Sequence, residues 1–314
     1  MIRDVCERIV EEVKKVFVSS GDVVEKTLAA ALCNGNVLFE DYPGLGKTLL
    51  AKAFARVIGA EYRRVQFTPD LLPADITGTK VFKAGRFELV KGPIFTNVLL
   101  ADEINRSPPK TQAALLEAME ERQVTIEGET LKLPEPFFVI ATQNPIEQEG
   151  TYPLPEAQLD RFLIRLKPGY PRSVEEEMEI LRRRISWKKD DPTDEIKPVV
   201  SLEEFKSLQR FVEDIYVHED VLRYIAEIVR KTREHEIVEI GASPRGALAL
   251  MKMARAIAAI NGRDYVIPDD VKLVAKEVLS HRIILKIEYA VEGYSGEEVV
   301  EEVLKEVEVP KVIR

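Results

Sequence analysis

Pro43, Gly44, Leu45, Gly46, Lys47, Thr48 and Leu49 put two glycines, a cation and a hydroxyl into one short run, a set suited to holding a polyphosphate. Gly44 and Gly46 lack Cβ atoms, so the backbone can turn sharply and present successive N–H groups to phosphate oxygens. The pattern LLAKAFARVIGA that overlaps and follows has helical spacing, which predicts a helix whose positive N-terminal end lies beside the same anion. Lys47 is then placed to reach the β- and γ-phosphates of a bound polyphosphate. The Thr48 hydroxyl is placed to complete the shell of a Mg²⁺ ion that keeps several waters. The full motif is GxxxxGK[ST], and Asp41 stands where its opening glycine belongs. Two readings stay open: a phosphate loop, or a strand-to-helix turn that happens to end in Lys-Thr.

Two acids follow another apolar run, Val98-Leu99-Leu100-Ala101, as Asp102 and Glu103. A buried strand would deliver Asp102 to the metal through its waters, and Glu103 could polarise the water that attacks the γ-phosphate. The next run ends in Ala141-Thr142-Gln143-Asn144. Asn144 is either a partner of the γ-phosphate or attacking water, or a polar turn residue before Pro145.

The elements that must position these groups are legible as apolar runs at 36–40, 62–66, 97–101, 137–142 and 162–167, several of them separated by amphipathic helical stretches. That alternation predicts an α/β fold with a mostly parallel five-stranded sheet flanked by helices. Ligands of such sheets bind at the carboxyl ends of the strands, where the loop, the acid pair and Asn144 all fall. Ser107-Pro108-Pro109 predicts a helix start with Ser107 as N-cap, and 79–90 and 124–133 read as β-hairpins turning near Ala84-Gly85 and Glu127-Gly128-Glu129. Beyond Pro168-Gly169-Tyr170-Pro171 the strand pattern stops. Helices are expected over 173–184, 201–212, 219–234, 244–261 and 269–280, with 187–198 as a linker. The expected division is 1–170 for a nucleotide-binding core and 171–314 for a linker helix and an all-helical C-terminal lid, whose motion could couple nucleotide state to shape.

At 314 residues and 45% hydrophobic, the chain has material for two domains, and a net charge of −9 argues against a non-specific nucleic-acid binder. Ile2, Val5, Ile9, Val13 and Phe17 recur at helical spacing among charges, which is neither a signal peptide nor a membrane span, so a cytoplasmic location is expected. Cys6 and Cys33 are too few for a disulfide framework and read as buried apolar residues. His218, His235 and His281 read as surface or helix-end residues, and no transition-metal site is expected.

The blocks EDYPGLGKT, QFTPDLLPADITGT, ADEINRSPPKTQAALLEAMEERQVTIEGE, IATQNPIEQEGTYPLPEAQLDRFLIRL and SPRGALALMKMARAIAA, in this order, resemble the MoxR-type AAA+ ATPases over roughly residues 15–310. The resemblance implies an AAA+ core, a helical lid, and two hairpin insertions at 79–90 and 124–133 that point toward the pore of related rings. It assigns Lys47 and Thr48 to the first phosphate motif, Asp102 and Glu103 to the second, and Asn144 to the first sensor. Arg161, in LDRF, matches an arginine finger acting on a neighbouring subunit; Arg245, in SPRG, matches a second sensor that lid rotation would move relative to the phosphates; Arg106 is a lesser candidate for an intersubunit contact. Ser19-Ser20 stand where the family usually carries Gly-Gln, in a segment that borders the adenine pocket. The resemblance further implies a hexameric homo-oligomeric ring, ATP and Mg²⁺, protein clients, and a partner carrying a von Willebrand factor A domain.

Other classes stay open at this level. An MCM-like nucleic-acid motor shares the hairpins, yet Glu127 and Glu129 at the second tip would repel phosphate. A magnesium-chelatase-type ATPase subunit and a nucleotide-gated module that scarcely turns over are the further alternatives.

Overall fold

The computed structural model describes residues 2–18, 21–40, 42, 44–83, 85–145 and 150–311; Ser19, Ser20, Asp41, Pro43 and Ala84 lie outside them. Helices α1 (Ile2–Lys14) and α2 (Val23–Leu32) precede β1 (Val37–Glu40) and α3 (Lys47–Val57). The spacing read in the first helix holds, with Cys6, Ile9 and Val13 fully buried and Phe17 nearly so. Next come β2 (Tyr62–Gln66), the single turn α4 (Pro73–Thr77), a hairpin of β3 (Gly78–Lys83) and β4 (Arg86–Lys91), and β5 (Val98–Asp102). Helix α5 (Pro109–Glu121) leads to a second hairpin of β6 (Gln123–Ile126) and β7 (Glu129–Lys132), then β8 (Phe138–Gln143), the short α6 (Glu156–Leu159) and β9 (Ile164–Leu166). Both hairpins fall where the sequence places them. The helix start differs by one residue: Pro108 is the N-cap of α5, because the Ser107 hydroxyl is turned back to donate to the Ile104 carbonyl at 3.3 Å.

The five strands at the expected positions form one parallel sheet in the order β2-β5-β8-β1-β9. Side chains alternate across it, and both faces are covered. Val37 and Phe39 of β1, Val98 and Leu100 of β5, and Phe138 and Ile140 of β8 belong to one core; Leu38, Leu99, Val139 and Ala141 belong to the other. All five carboxyl ends therefore emerge on one edge of the sheet, free of the hydrophobic packing that fixes the strands beneath them.

The second half holds α7 (Val174–Trp187), α8 (Leu202–Glu213), α9 (Glu219–Glu234), β10 (Val238–Ile240), α10 (Pro244–Ile260), α11 (Pro268–Leu279), β11 (Ile284–Leu285), α12 (Ile287–Val291) and α13 (Gly296–Glu306). The five expected helices are present. The pattern does not reveal α12, α13 or the small antiparallel pair β10–β11. A signal for α13 is nevertheless there, since Ser295 and Glu298 form a capping box, as Ser201 and Glu204 do for α8. The expected linker is docked rather than loose: Ile196 is buried, and Lys52 on α3 pairs with Asp191 at 2.5 Å.

Phe205, Tyr224, Leu250 and Val274 of the second half share one continuous core with Ile9, Leu28 and Phe54 of the first. A swing of the whole lid would expose that core, so rigid rotation of all its helices is costly. Helix α7 has no buried residue and meets that core at the partly buried Trp187.

Cys6 and Cys33 are free and buried as expected, and burial raises the Cys6 thiol to about 12. No described helix is long and apolar enough to cross a membrane. His218 and His235 cap the two ends of α9, as expected of helix-end residues. His281 does not follow that expectation. It is buried, with Nε2 3.2 Å from the Phe162 carbonyl, and burial, then the neighbouring Arg282 and Arg165, hold its pKa well below the usual value. The unfolded chain takes up a proton near pH 6.5 that the folded chain refuses. Stability should thus be full above about pH 6.5 and fall by up to about 1.4 kcal/mol per pH unit below it. Urea unfolding of wild type and His281→Gln across this range checks the point, the variant losing that part of the slope.

Candidate active site

Gly46 is the N-cap of α3 at φ 76° and ψ 15°, and as a glycine it supplies no side-chain cap. The first turn of α3 is the positive end of the helix, where backbone N–H groups suit an anionic acceptor. An L side chain at Gly46 would be strained at that φ, and its Cβ would stand 3.2 Å from the Phe17 ring. Gly44 is also left-handed, at φ 85°, and is exposed, while Leu45, Lys47, Thr48 and Leu49 are partly exposed. Tyr42, just before the loop, stacks on Tyr170 with ring centroids 5.3 Å apart.

Beside the loop opens a cleft of about 480 Å³, lined by Val16, Phe17, Val18, Gly44, Leu45, Gly46 and Leu49 on one side and by Tyr170, Ile180, Leu181 and Trp187 on the other. Its size and apolar walls suit a purine base next to a phosphate loop. The sequence suggested Ser19-Ser20 as the border of such a pocket; they lie outside the described residues, and Val16 and Val18 just upstream line it. Ile180 and Leu181 come from α7, whose exposed apolar face gave no sequence signal of its role. Arg183 of the same helix donates to the carbonyl oxygens of Lys14 and Lys15, tying α7 to the segment that forms the opposite wall.

The strand ends gather a second group. The Asp102 carboxylate accepts from the Thr142 hydroxyl at 2.6 Å on Oδ1 and from the Arg64 guanidinium at 2.6 Å on Oδ2. Glu103 has φ 56° and ψ 50°, a left-handed conformation that costs a non-glycine residue about 1 kcal/mol or more. Its N–H donates to the Thr142 hydroxyl at 2.8 Å, which helps hold the turn, and its carboxylate accepts from Gln66 Nε2 at 2.6 Å and faces Arg106 Nε at 3.3 Å. Gln66, Thr142 and Arg64 were not singled out from sequence. Gln66 and Thr142 lie at or beside the carboxyl ends of strands already located, which was the available signal. Arg106 contacts Glu103 of its own chain. Asn144 follows β8, is nearly buried, and accepts on its carbonyl from Asn105 Nδ2 at 3.4 Å.

Among the described residues no group of three His, Cys, Asp or Glu side chains could hold a metal alone. Thr48 and Asp102 offer a hydroxyl and a carboxylate, a hard-oxygen pair that fits Mg²⁺, an ion that takes few protein ligands and completes its shell with water and phosphate oxygens.

Arg161 and Arg245 stand elsewhere. Arg161 lies just before β9, whose amino end pairs with that of β1: Ile164 is opposite Val37, and Leu163 N–H donates to the Asn36 carbonyl. The strand-end acids are at the other end of the sheet, separated along β1 by about 13 Å at ~3.3 Å per residue. Arg161 Nε is 3.3 Å from Glu120, and Arg245 shares the same carboxylate at 2.7 Å while approaching Asp160 at 3.6 Å. The structure thus brings the lid arginine to Arg161, not to the phosphate loop. Beneath them Arg282, nearly inaccessible and pushed down to about 10 by burial, donates to the Asp160 carboxylate at 2.7 Å and to the carbonyls of Phe162 and Leu163. It fixes the backbone that carries Arg161 to the lid, and no sequence signal marked it.

A parallel sheet in this order, a glycine loop at the N-terminus of α3 and acids at the neighbouring strand end define a P-loop nucleotide-binding protein of the AAA+ class. The model of the ATPase family associated with various cellular activities (AAA) matches residues 36–164, and that of the AAA lid domain residues 230–303. The uncharacterized protein YeaC of Bacillus subtilis is 50% identical, covering 96% of this chain and 94% of its own. Chaperone MoxR1 of Mycobacterium tuberculosis is 45% identical, with 98% and 82% covered. The crystal structure of a candidate ATPase from Cytophaga hutchinsonii superposes with a TM-score of 0.91 at 41% identity, over 99% of this chain and 96% of that one. The chain belongs to the MoxR-type AAA+ ATPase family.

Proposed function

We propose that this chain is a Mg²⁺-dependent ATP hydrolase that works as a homo-oligomeric, hexameric ring and remodels or matures protein clients in the manner of a chaperone. The observation that carries the reading is the separation of two half-sites: binding loop and acids at the carboxyl ends of the strands, arginines at the amino ends. Lys47 and the N–H groups of α3 hold the phosphates, and the apolar cleft takes the base. Mg²⁺ held through Thr48 and Asp102 would neutralise charge on the β- and γ-phosphates. Glu103 accepts a proton from the attacking water, and Asn144 orients that water or the γ-phosphate. Arg161 and Arg245 of a neighbouring subunit face the γ-phosphate, so hydrolysis requires assembly. Nucleotide state reaches the lid through α7, which walls the cleft and meets the common core at Trp187. A partner with a von Willebrand factor A domain, and the division at residue 170, belong to the same reading.

Two outcomes follow. ATP with Mg²⁺ should stabilise wild type by about 2.7 kcal/mol at a hundredfold excess over Kd, read as a rise in Tm, and Lys47→Ala should lose it. Equal stabilisation of both proteins would remove Lys47 from the site. Gln66→Leu should raise basal turnover by about two- to tenfold, the equivalent of one hydrogen bond of about 0.5–1.5 kcal/mol no longer restraining Glu103. A fall in turnover would instead make Gln66 a productive ligand.

A further inference from the structure

Helix α7 leaves an apolar stripe in solvent. Val174, Met178, Leu181 and Ile185 are 69%, 40%, 62% and 74% exposed. At 100° per residue they fall within about 60° of one another, with the alternating four- and three-residue spacing of a coiled-coil seam. Single apolar residues on a surface need no partner, whereas an unbroken row along a whole helix marks a contact.

The charges beside the stripe identify what covers it. Read from either end, VEEEMEILRRRI shows one pattern with the signs exchanged: glutamates fill 175–177 and arginines 182–184. Reversal about the point between Glu179 and Ile180 sets Val174 on Ile185, Met178 on Leu181, and the glutamate run against the arginine run. In an antiparallel pair the residues that flank the seam on the same side meet, so Glu175 of one helix faces Arg182 of the other, and Glu177 faces Arg184. Among the described residues Glu175, Glu177 and Arg182 form no ion pair within the chain, while Arg184 is held by the exposed Asp190 at 2.5 Å. Arg183 points the opposite way from the seam, pairing with Glu179 and bonding the Lys14 and Lys15 carbonyls.

We propose that α7 is a two-fold contact site for a second copy of this chain, the two helices packing antiparallel through the stripe. A two-fold pair does not form between neighbours in a cyclic hexamer, so the contact joins subunits of separate rings or subunits outside a ring. At 14 residues α7 is about 21 Å long, which keeps the buried area at the low end for a specific complex and the pairing reversible. Leu181 also lines the nucleotide cleft, so the pair forms at the edge of the cleft wall.

The test places single cysteines at the two ends of the stripe in the full-length protein and oxidises mildly. Val174→Cys mixed with Ile185→Cys should give a disulfide-linked pair; either variant alone should give at least about tenfold less, because like positions lie roughly 16 Å apart along an antiparallel pair. Cys6 and Cys33 are buried and do not compete. In sedimentation across a concentration series, Glu175→Arg and Arg182→Glu should each weaken self-association about fivefold or more. Their equimolar mixture should restore it, since every mixed contact again sets opposite charges together. All four positions are exposed, so melting temperatures should match wild type. Linking by one cysteine variant alone at the level of the mixture would make the helices parallel, and overturns the proposal. So does a mixture that stays unlinked with wild-type melting, which would leave the stripe to another face of a neighbouring subunit or to a different protein. A charge-variant mixture no tighter than either variant alone overturns it as well.

Discussion

Glu103→Gln is expected to lower ATP turnover by about 10²- to 10⁴-fold while ATP binding survives. The substitution keeps the shape and the hydrogen-bonding reach of the side chain and removes its capacity to take a proton. The fold is arranged around that carboxylate: a left-handed backbone at φ 56° presents it past the end of β5, and the Glu103 N–H is held by Thr142. Because the phosphate contacts lie on a different strand and helix, nucleotide affinity has no reason to change. Steady-state turnover beside equilibrium binding of a fluorescent ATP analogue reads both quantities, and turnover within about threefold of wild type would remove Glu103 from the base role.

Arg161→Ala carries the largest expected loss, about 10³- to 10⁵-fold in turnover at saturating ATP. The side chain is at the amino end of the sheet, so within one subunit it is far from Glu103; its effect must come from the neighbour. Arg245→Ala should also lose turnover. The double variant should fall short of the product of the two losses, since both guanidinium groups share Glu120 and act on one charge. ATP affinity of unassembled subunits should not move in any of the three. If Arg161→Ala instead weakens binding in the unassembled subunit, the arginine serves its own subunit and the geometry proposed for it is wrong.

Much of the fold and of the candidate site is legible in the amino-acid sequence. Asp102, Glu103 and Asn144 can be placed because a buried parallel strand is an unbroken apolar run, and the first polar residue after it marks the carboxyl end. Lys47 and Thr48 can be placed because glycine spacing reports backbone need directly. Gln66 and Thr142 escape notice although their strands are found, since a neutral polar side chain at a strand end has many uses and only proximity to Glu103 and Asp102 selects this one. Arg245 has a place by resemblance yet stands beside Arg161, because lid position depends on packing between distant segments, Phe205 and Tyr224 against Leu28 and Phe54, that no local pattern encodes. His281 misleads and Arg282 goes unmarked for the same reason: charge predicts exposure, and the Asp160 carboxylate with the carbonyls of Phe162 and Leu163 makes burial tolerable there.

The central claim is that one complete site takes residues from two subunits, and mixing inactive subunits tests it most directly. Lys47→Ala keeps Arg161 and should not hold ATP; Arg161→Ala should hold ATP and lacks the arginine. Each alone should be nearly inactive. An equimolar mixture that assembles at random should recover up to about a quarter of wild-type turnover, because about one interface in four pairs an intact loop with an intact arginine. A mixture that co-assembles yet shows no more activity than the sum of its parts would contradict the account.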